Sequence, residues 1–369
     1  MSLLHIDSLE GYDKDIILLN GGKYENWIHH GGNELLVTSD YGRNDSSGFR
    51  FITNSYTQGQ GGCVTRHLDG NYDTVIVGAA VKINNLGQLH LEPGQTSYHW
   101  TIFAFMDGGV VQVALTILPS MRLAVMRGGG GPDEGETEIA RSSFALHAGV
   151  YYYIEFKCLV SNSAGTFEVK IDGASQLTGS GDTQVSSAQY INGVRFGYRA
   201  FFPWANQGRR IQYDDIYIAN TEGSTYNDFI GDVRVEGIRP TGDRPTLQWS
   251  ASSGTVHYDM IDDLTPDTTN YVTSDTVGNV DLFSVENLDT PSANILAIAP
   301  NVYARKANAG VARVAAVVNR TGTTEVGQDN YLTQEYRYHY DDIWTTNPID
   351  GLAWGNTLSN LYFGIKKSG

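Results

Sequence analysis

Glu134, Glu136 and Glu138 alternate in one short stretch behind the glycine run 128–131. Alternating carboxyls are the raw material of glycoside hydrolysis, which needs two of them about 5–5.5 Å apart for retention and wider for inversion, one kept protonated. Residues i and i+2 of a strand share a face about 7 Å apart, so the spacing alone is admissible. The surrounding residues argue against it. Gly135 and Thr137 stand between the acids, no aspartate is central, and the preceding glycines favour a turn. The stretch is expected to be an exposed loop tip. The same glycines lack the lysine or helix start that would cradle a phosphate, which excludes a nucleotide site.

Asp69-Gly70-Asn71-Tyr72-Asp73 sets two acids and an amide around a glycine, and Asp214-Asp215 adds a carboxyl pair. Calcium takes roughly six to eight oxygens from such groups. Neighbouring strand residues face opposite ways, so only one of Asp214 and Asp215 should reach a given loop or the core. Asp69, Asp73 and Asp215 are the candidate ligands of a structural calcium ion. The blander reading, which carries more weight, makes one carboxylate a cap and leaves the other solvated, with no cofactor. His29-His30 lead into Gly31-Gly32 without an HExxH pattern, and no G-x-S-x-G elbow occurs. No catalytic residue is assigned, and the expectation is a protein that is not an enzyme.

Aromatic residues offer a different chemistry. Tyr198, Phe201, Phe202, Trp204 and Tyr213 gather around the polar loop 203–208, where Asn206 and Gln207 supply amides. Ring faces plus amide hydrogen bonds suit sugars, so Tyr198, Trp204, Asn206 and Gln207 are the candidate carbohydrate- or partner-binding group. The competing reading, given more weight, puts these rings in a core or a subunit contact, where Tyr and Trp are enriched. Tyr336, Tyr338 and Tyr340 share one strand face and read as a packed or partner-facing surface.

Composition narrows the field. Across 369 residues, 41 acidic against 25 basic side chains leave a formal net charge of −16. A phosphate-binding surface needs concentrated Lys and Arg, yet the densest basic pair, Arg209-Arg210, stands close to Asp214-Asp215. No nucleic-acid partner is expected. No run approaches the ~18 apolar residues of a membrane span, and the opening residues lack the basic start and apolar core of a secretion signal. Cys63 and Cys158 are expected to be free and buried. The product is expected to fold in a cytosol and to be soluble.

The elements that must position these residues are strands. Abundant glycine and tyrosine with scarce methionine (42, 22 and 5 residues) fit turn-rich β structure. Runs such as 74–83, 100–105, 110–118, 121–126, 151–160, 166–171, 193–198 and 212–218 are β-branched or aromatic and end at Gly, Asn, Asp or Pro. Their spacing near ten residues predicts a sandwich rather than βαβ units. Pro240-Thr241-Gly242-Asp243-Arg244-Pro245 is expected to resist regular structure. Beyond it the strand pattern restarts at 280–285, 295–306, 311–319, 336–344 and 360–366. The expected division is a first domain over 1–222, a linker with one short extended piece over 223–250, and a smaller β-sandwich domain over 251–369. One echo links the halves: Tyr213-Asp214-Asp215-Ile216-Tyr217 against Tyr340-Asp341-Asp342-Ile343-Trp344.

Residues 7–12 (DSLEGY), Tyr41-Gly42-Arg43, the block 151–173 and the run 212–220 (QYDDIYIAN) resemble concanavalin A-like, laminin-G-type domains of bacteriophage virion proteins. Gly231-Asp232-Val233, residues 239–243, Trp249, Tyr271-Val272, residues 281–283, Trp344, Asn347-Pro348, Trp354 and Phe363-Gly364 resemble the module that follows this jelly roll in tailed-phage structural proteins. The resemblance implies an all-β fold, a concanavalin A-like jelly-roll sandwich followed by a smaller β-sandwich. It also implies a structural component of a virion that docks onto other virion proteins and copies of itself. The Asp-Asp pair in QYDDIYIAN is common in that family and often structural. A receptor-binding module for host surface polysaccharide is the alternative, with a glycan depolymerase behind it.

Overall fold

A computed structural model describes residues 2–12, 22–24, 33–53, 59–60, 62–85, 100–129, 136–197, 201–202, 209–263, 265–290, 293–340 and 342–369. Among these residues the elements are strands and two short 3-10 turns, Arg43–Asp45 and Tyr258–Met260. No helix is long and apolar enough to cross a membrane. The chain forms two compact units: Met1–Glu10 with Lys23–Val235, and Gly11–Gly22 with Glu236–Gly369.

The strands of the first unit are β1 (Leu3–Asp7), β2 (Asn33–Thr38), β3 (Gly48–Thr53), β4 (Gly59–Gln60), β5 (Cys63–Tyr72), β6 (Thr74–Asn85), β7 (Trp100–Asp107) and β8 (Val110–Ile117). They continue with β9 (Arg122–Arg127), β10 (Thr137–Ala145), β11 (Tyr151–Leu159), β12 (Gly165–Ile171), β13 (Ala174–Gly181), β14 (Ile191–Gly197), β15 (Phe201–Phe202) and β16 (Arg209–Asn220). An eight-stranded sheet runs β13-β12-β11-β6-β16-β3-β2 with β1 also on β16, and a six-stranded sheet runs β10-β9-β8-β7-β14-β5. The β12–β13 hairpin turns on Asp172 and Gly173, both at positive φ (49° and 78°), the backbone that an Asp-Gly pair favours.

Rings from both sheets meet in one core. Phe105 of β7 stacks on Phe156 of β11 at 4.9 Å, while Phe103 and Phe196 of the six-stranded sheet pack against Tyr213 of β16. Each is at most 1% exposed, and burying such a side chain contributes about 1.5–3 kcal/mol. The Tyr213 hydroxyl, fully buried, donates to the Ile102 carbonyl at 2.8 Å and accepts from the Gly197 N–H at 3.2 Å. This is the all-β sandwich expected of the first part of the chain.

Strand β16 is the spine. It pairs with β6 along one edge and with β3 and then β1 along the other. Its ladder with β6 is broken between Asp214 and Tyr217, where Asp215 takes φ 52°. Such a bulge inserts an extra residue and re-aims the side chains beyond it. Tyr213 therefore faces the core whereas Tyr217 points outward, and strict alternation across Asp214-Asp215 is lost.

The second unit contains β17 (Pro240–Leu247), β18 (Ser250–Ala251), β19 (Val272–Thr273), β20 (Val280–Val285), β21 (Val302–Ala304), β22 (Arg313–Arg320), β23 (Thr323–Val326), β24 (Asn330–Tyr331), β25 (Arg337–His339) and β26 (Tyr362–Lys367). A six-stranded sheet of order β17-β20-β26-β22-β23, with β24 on β22, is joined by the ribbons β18-β19 and β21-β25. Val318, Trp354 and Leu361 centre a core with Trp344, Ile298 and Phe363 around it. The Trp354 indole donates to the Trp344 carbonyl at 2.7 Å, so its one polar atom is met.

Two expectations change here. The Pro240–Pro245 stretch is a strand, not an irregular turn. It lies at the sheet's edge with register shifts on either side of Asp243, where proline's missing donor costs no ladder bond. The stretch 223–250 does not behave as one linker: residues to Val235 pack with the first unit and those from Glu236 with the second. Gly11 also falls with the second unit, where its carbonyl accepts from the Tyr338 hydroxyl at 3.2 Å. Aspartates of the echo accept backbone N–H groups in both units. Asp342 is buried and accepts the Gln328 N–H on both oxygens, as Asp214 and Asp215 accept backbone N–H groups in theirs.

Candidate functional site

Tyr198, Trp204, Asn206 and Gln207 lie outside the described residues, as does Glu134. The three aspartates can be placed. Asp69, on the edge strand β5, is exposed and accepts the Tyr72 hydroxyl at 2.6 Å. Asp73 is exposed between β5 and β6, and its carbonyl accepts the Val160 N–H at 2.9 Å. Asp215 is 2% exposed in the other sheet, ion-paired to Arg43 at 2.8 Å. Among the described residues no three His, Cys, Asp or Glu side chains come together to hold a metal ion. Glu138 is exposed and forked onto Arg141 at 2.8 and 2.6 Å.

Asp214 and Asp215 do not divide between two faces as strand alternation implies; both reach the loop carrying Arg43. Asp214 accepts from the Arg43 N–H at 2.6 Å, the Ser46 hydroxyl at 2.5 Å and the Asp215 N–H at 2.7 Å. Asp215 accepts from the Arg43 guanidinium at 2.8 Å and the Val235 N–H at 2.7 Å. The bulge at Asp215 makes this convergence geometrically feasible. Burial, and then the neighbouring Asp215 carboxyl, push Asp214 up to about 7, against the hydrogen bonds it accepts. Burial also raises Asp215, opposed by the Val235 N–H and by Arg43. This is a clasp, and its contacts are all within the protein.

The outer face of the six-stranded sheet has another character. Register places Met126, Ala114, Ala104, Arg195 and Thr65 in one row across β9, β8, β7, β14 and β5. Ala124, Thr116 and Thr101 form a second row beside it. With strands about 4.8 Å apart, the first row runs about 19 Å. Gly193 continues this face, where an added Cβ would lie 3.5 Å from both Met106 and Thr65. The opposite, core-facing side carries Phe103, Phe105, Leu115, Val125 and Phe196, while Met106, Val111 and Met126 pack among the alanines on this side.

Polar groups stand on this small-residue floor. Arg195 is 7% exposed, and Thr65 and Thr101 are 2% exposed each. The Thr116 hydroxyl donates to the Ala124 carbonyl at 3.2 Å, whereas those of Thr65 and Thr101 find no hydrogen-bond partner among the described residues. A buried hydroxyl left unmet costs about 1–3 kcal/mol, recoverable by any ligand oxygen that reaches it. Arg195 adds a planar fork of donors suited to a carboxylate or to paired hydroxyls. Sequence reasoning passed over these residues. The available signal was a small residue at alternate positions of three successive apolar runs, Ala104, Ala114 with Thr116, and Ala124, facing an arginine inside Gly193–Gly197.

No protein-family model matches the chain, and no curated protein matches it. Solved structures resemble part of it. An endo-β-1,4-glucuronan lyase from the fungus Trichoderma reesei is 14% identical with a TM-score of 0.40, the match covering 54% of this chain and 93% of that one. The carbohydrate-binding module CBM66 from Bacillus subtilis is 9% identical with a TM-score of 0.31, covering 55% and 98%. A carbohydrate esterase of the Shiga toxin-encoding bacteriophage phi24B is 14% identical with a TM-score of 0.34, covering 53% and 89%. These likenesses are ones of fold alone. They overturn one expectation: structures resembling this sandwich include a lyase and an esterase, so the reading that the chain is not an enzyme is withdrawn.

Proposed function

We propose that the chain is a component of a tailed-phage particle, docked to neighbouring virion proteins and to copies of itself, and that its first unit recognises glycan. The carrying observation is the outer face of the six-stranded sheet, where Arg195 and the unmet hydroxyls of Thr65 and Thr101 stand on a floor of alanines. These groups are at most 7% exposed, so a glycan reaches them by displacing what packs over this face. Hydroxyl groups of the sugar satisfy the threonines, and the arginine exchanges a contact it already holds for a carboxylate or a pair of ring oxygens. Support for the virion setting comes from the family-like residues of the paired strands β11 to β13 and of the closing strand β16. The acid excess keeps free subunits soluble before assembly.

A glycan array run with the wild type and with Thr65→Val, Thr101→Val and Arg195→Met tests the recognition. Each threonine change removes one unmet hydroxyl at nearly constant shape, and each is expected to weaken binding about tenfold while the thermal midpoint of the unliganded protein rises. Arg195→Met is expected to abolish it. Absence of binding to any glycan, or variants that bind as the wild type does, sinks the reading. Gold-labelled antibody on intact particles tests the virion setting independently.

A further inference from the structure

His5 and Asp7 stand two apart on β1, so both side chains turn to the same, buried side. Lys23 and Tyr24 meet them there. The Lys23 Nζ lies 3.4 Å from Asp7 Oδ1, and the Tyr24 hydroxyl lies 3.2 Å from His5 Nε2. His5 Nε2 is also 3.7 Å from Asp7 Oδ2. All four residues are at most 4% exposed. The Tyr24 ring meets His5, Phe49 and Phe196 edge to face, which screens the group from water. Arg66 of β5 donates to the Lys23 carbonyl at 3.1 Å and so fixes that residue in place.

We propose that Lys23 and Asp7 are the site of an intramolecular cross-link, an amide between Lys23 Nζ and Asp7 Cγ that forms once the first unit has folded. A lysine and a carboxylate taken out of water are held poorly as two charges, and one proton passed from the ammonium to Oδ2 leaves a neutral pair. Burial holds the Lys23 ammonium below its ordinary range, against the pull of Asp7 and with Arg66 adding to the depression. The neutral amine is a nucleophile, and at 3.4 Å from one carboxyl oxygen it is within reach of the carbon that bears it. Its attack forms the Nζ–Cγ bond. Negative charge then gathers on Oδ1, where the Leu9 N–H already donates at 3.0 Å. Burial, with Arg66 and Lys23 adding to it, lowers His5, so its ring starts neutral and able to accept a proton. His5 Nε2 takes one proton from the attacking nitrogen and hands it to Oδ2. The Cγ–Oδ2 bond breaks and Oδ2 departs as water. One amine and one carboxylic acid give one amide and one water, so the step balances with no further reactant.

Mass spectrometry reads the bond directly, and independently of any glycan. The wild-type chain is expected to weigh one water less than its sequence. Denatured and digested with trypsin, it is expected to stay uncut between Lys23 and Tyr24 and to yield a branched peptide, residues 1–14 joined through Asp7 to residues 15–43. Lys23→Arg and Asp7→Ala are expected at full sequence mass, cut at that position and without the branched peptide. His5→Phe, which keeps both reacting groups and removes the proton carrier, is expected to be isolated mostly unlinked. A wild type at full sequence mass that trypsin cuts after Lys23 overturns the proposal. So does a water lost elsewhere in the chain while that cut is made, or a blocked Lys23 that persists in Asp7→Ala. Should a variant not fold, the wild-type mass and digest decide alone.

Discussion

Tyr217 sits over a glycine for a geometric reason. A Cβ at Gly78 would collide with its ring, and the hydroxyl at the ring's far end donates to buried Glu155 at 2.5 Å. Gly78→Ala is therefore expected to destabilise the first unit by about 1–3 kcal/mol, the usual cost of overpacking, read as a lower urea midpoint at unchanged slope. Tyr217→Phe keeps the ring and removes one donor to Glu155, with an expected loss of about 1–3 kcal/mol. Asp214 gives a signed pH effect. Because its folded-state value is raised to about 7, its favourable contribution is complete at acid pH and is lost as pH rises through that value. Relative to wild type, Asp214→Asn should flatten stability against pH between about 4 and about 7. Chemical denaturation at several pH values checks this, and a wild type that gains stability over that interval relative to the variant contradicts it.

At the scale of elements, strands were legible where side-chain type alone decides. The runs 74–83, 151–160 and 280–285 appear as β6, β11 and β20 nearly end to end, because β-branched and aromatic residues favour a pleated, half-buried surface. Which side each residue faces was less legible, since pairing partners lie far along the chain. Arg195 stands beside Thr65 and Ala104 only through the order β5-β14-β7, and nothing local to Gly193–Gly197 announces it. The Asp215 bulge hid the clasp in the same way, by breaking the strand alternation that would otherwise assign each carboxyl to a face. The prolines of β17 misled because their penalty applies to central strands and not to an edge. Turn chemistry was better marked. Gly173, at φ 78°, closes β12 onto β13, and Gly173→Ala should cost about 1 kcal/mol by thermal melting, more than an alanine on an exposed strand position.

Each unit of the molecule has a core of its own, and whether the two melt independently is testable. The first is closed by Phe103, Phe105, Phe156, Phe196 and Tyr213 between two sheets, the second by Val318, Trp354 and Leu361. A unit that buries its own core can unfold cooperatively by itself, so calorimetry is expected to resolve two transitions rather than one. Phe105→Ala removes a ring stacked at 4.9 Å on Phe156 and should cost about 3–5 kcal/mol, lowering one transition alone. Trp354→Ala should lower the other. The cysteines report which transition is which. Cys63 and Cys158 are thiols, fully buried and both in the first unit, and burial pushes the Cys158 thiol far above its ordinary value. The thiolate is the reactive form, so neither should react with a thiol reagent in the native protein, and both should become reactive as the first unit melts. Labelling that accompanies the transition lowered by Phe105→Ala supports two independent cores; labelling that accompanies both transitions equally, or a single transition moved by either substitution, means that the units unfold as one.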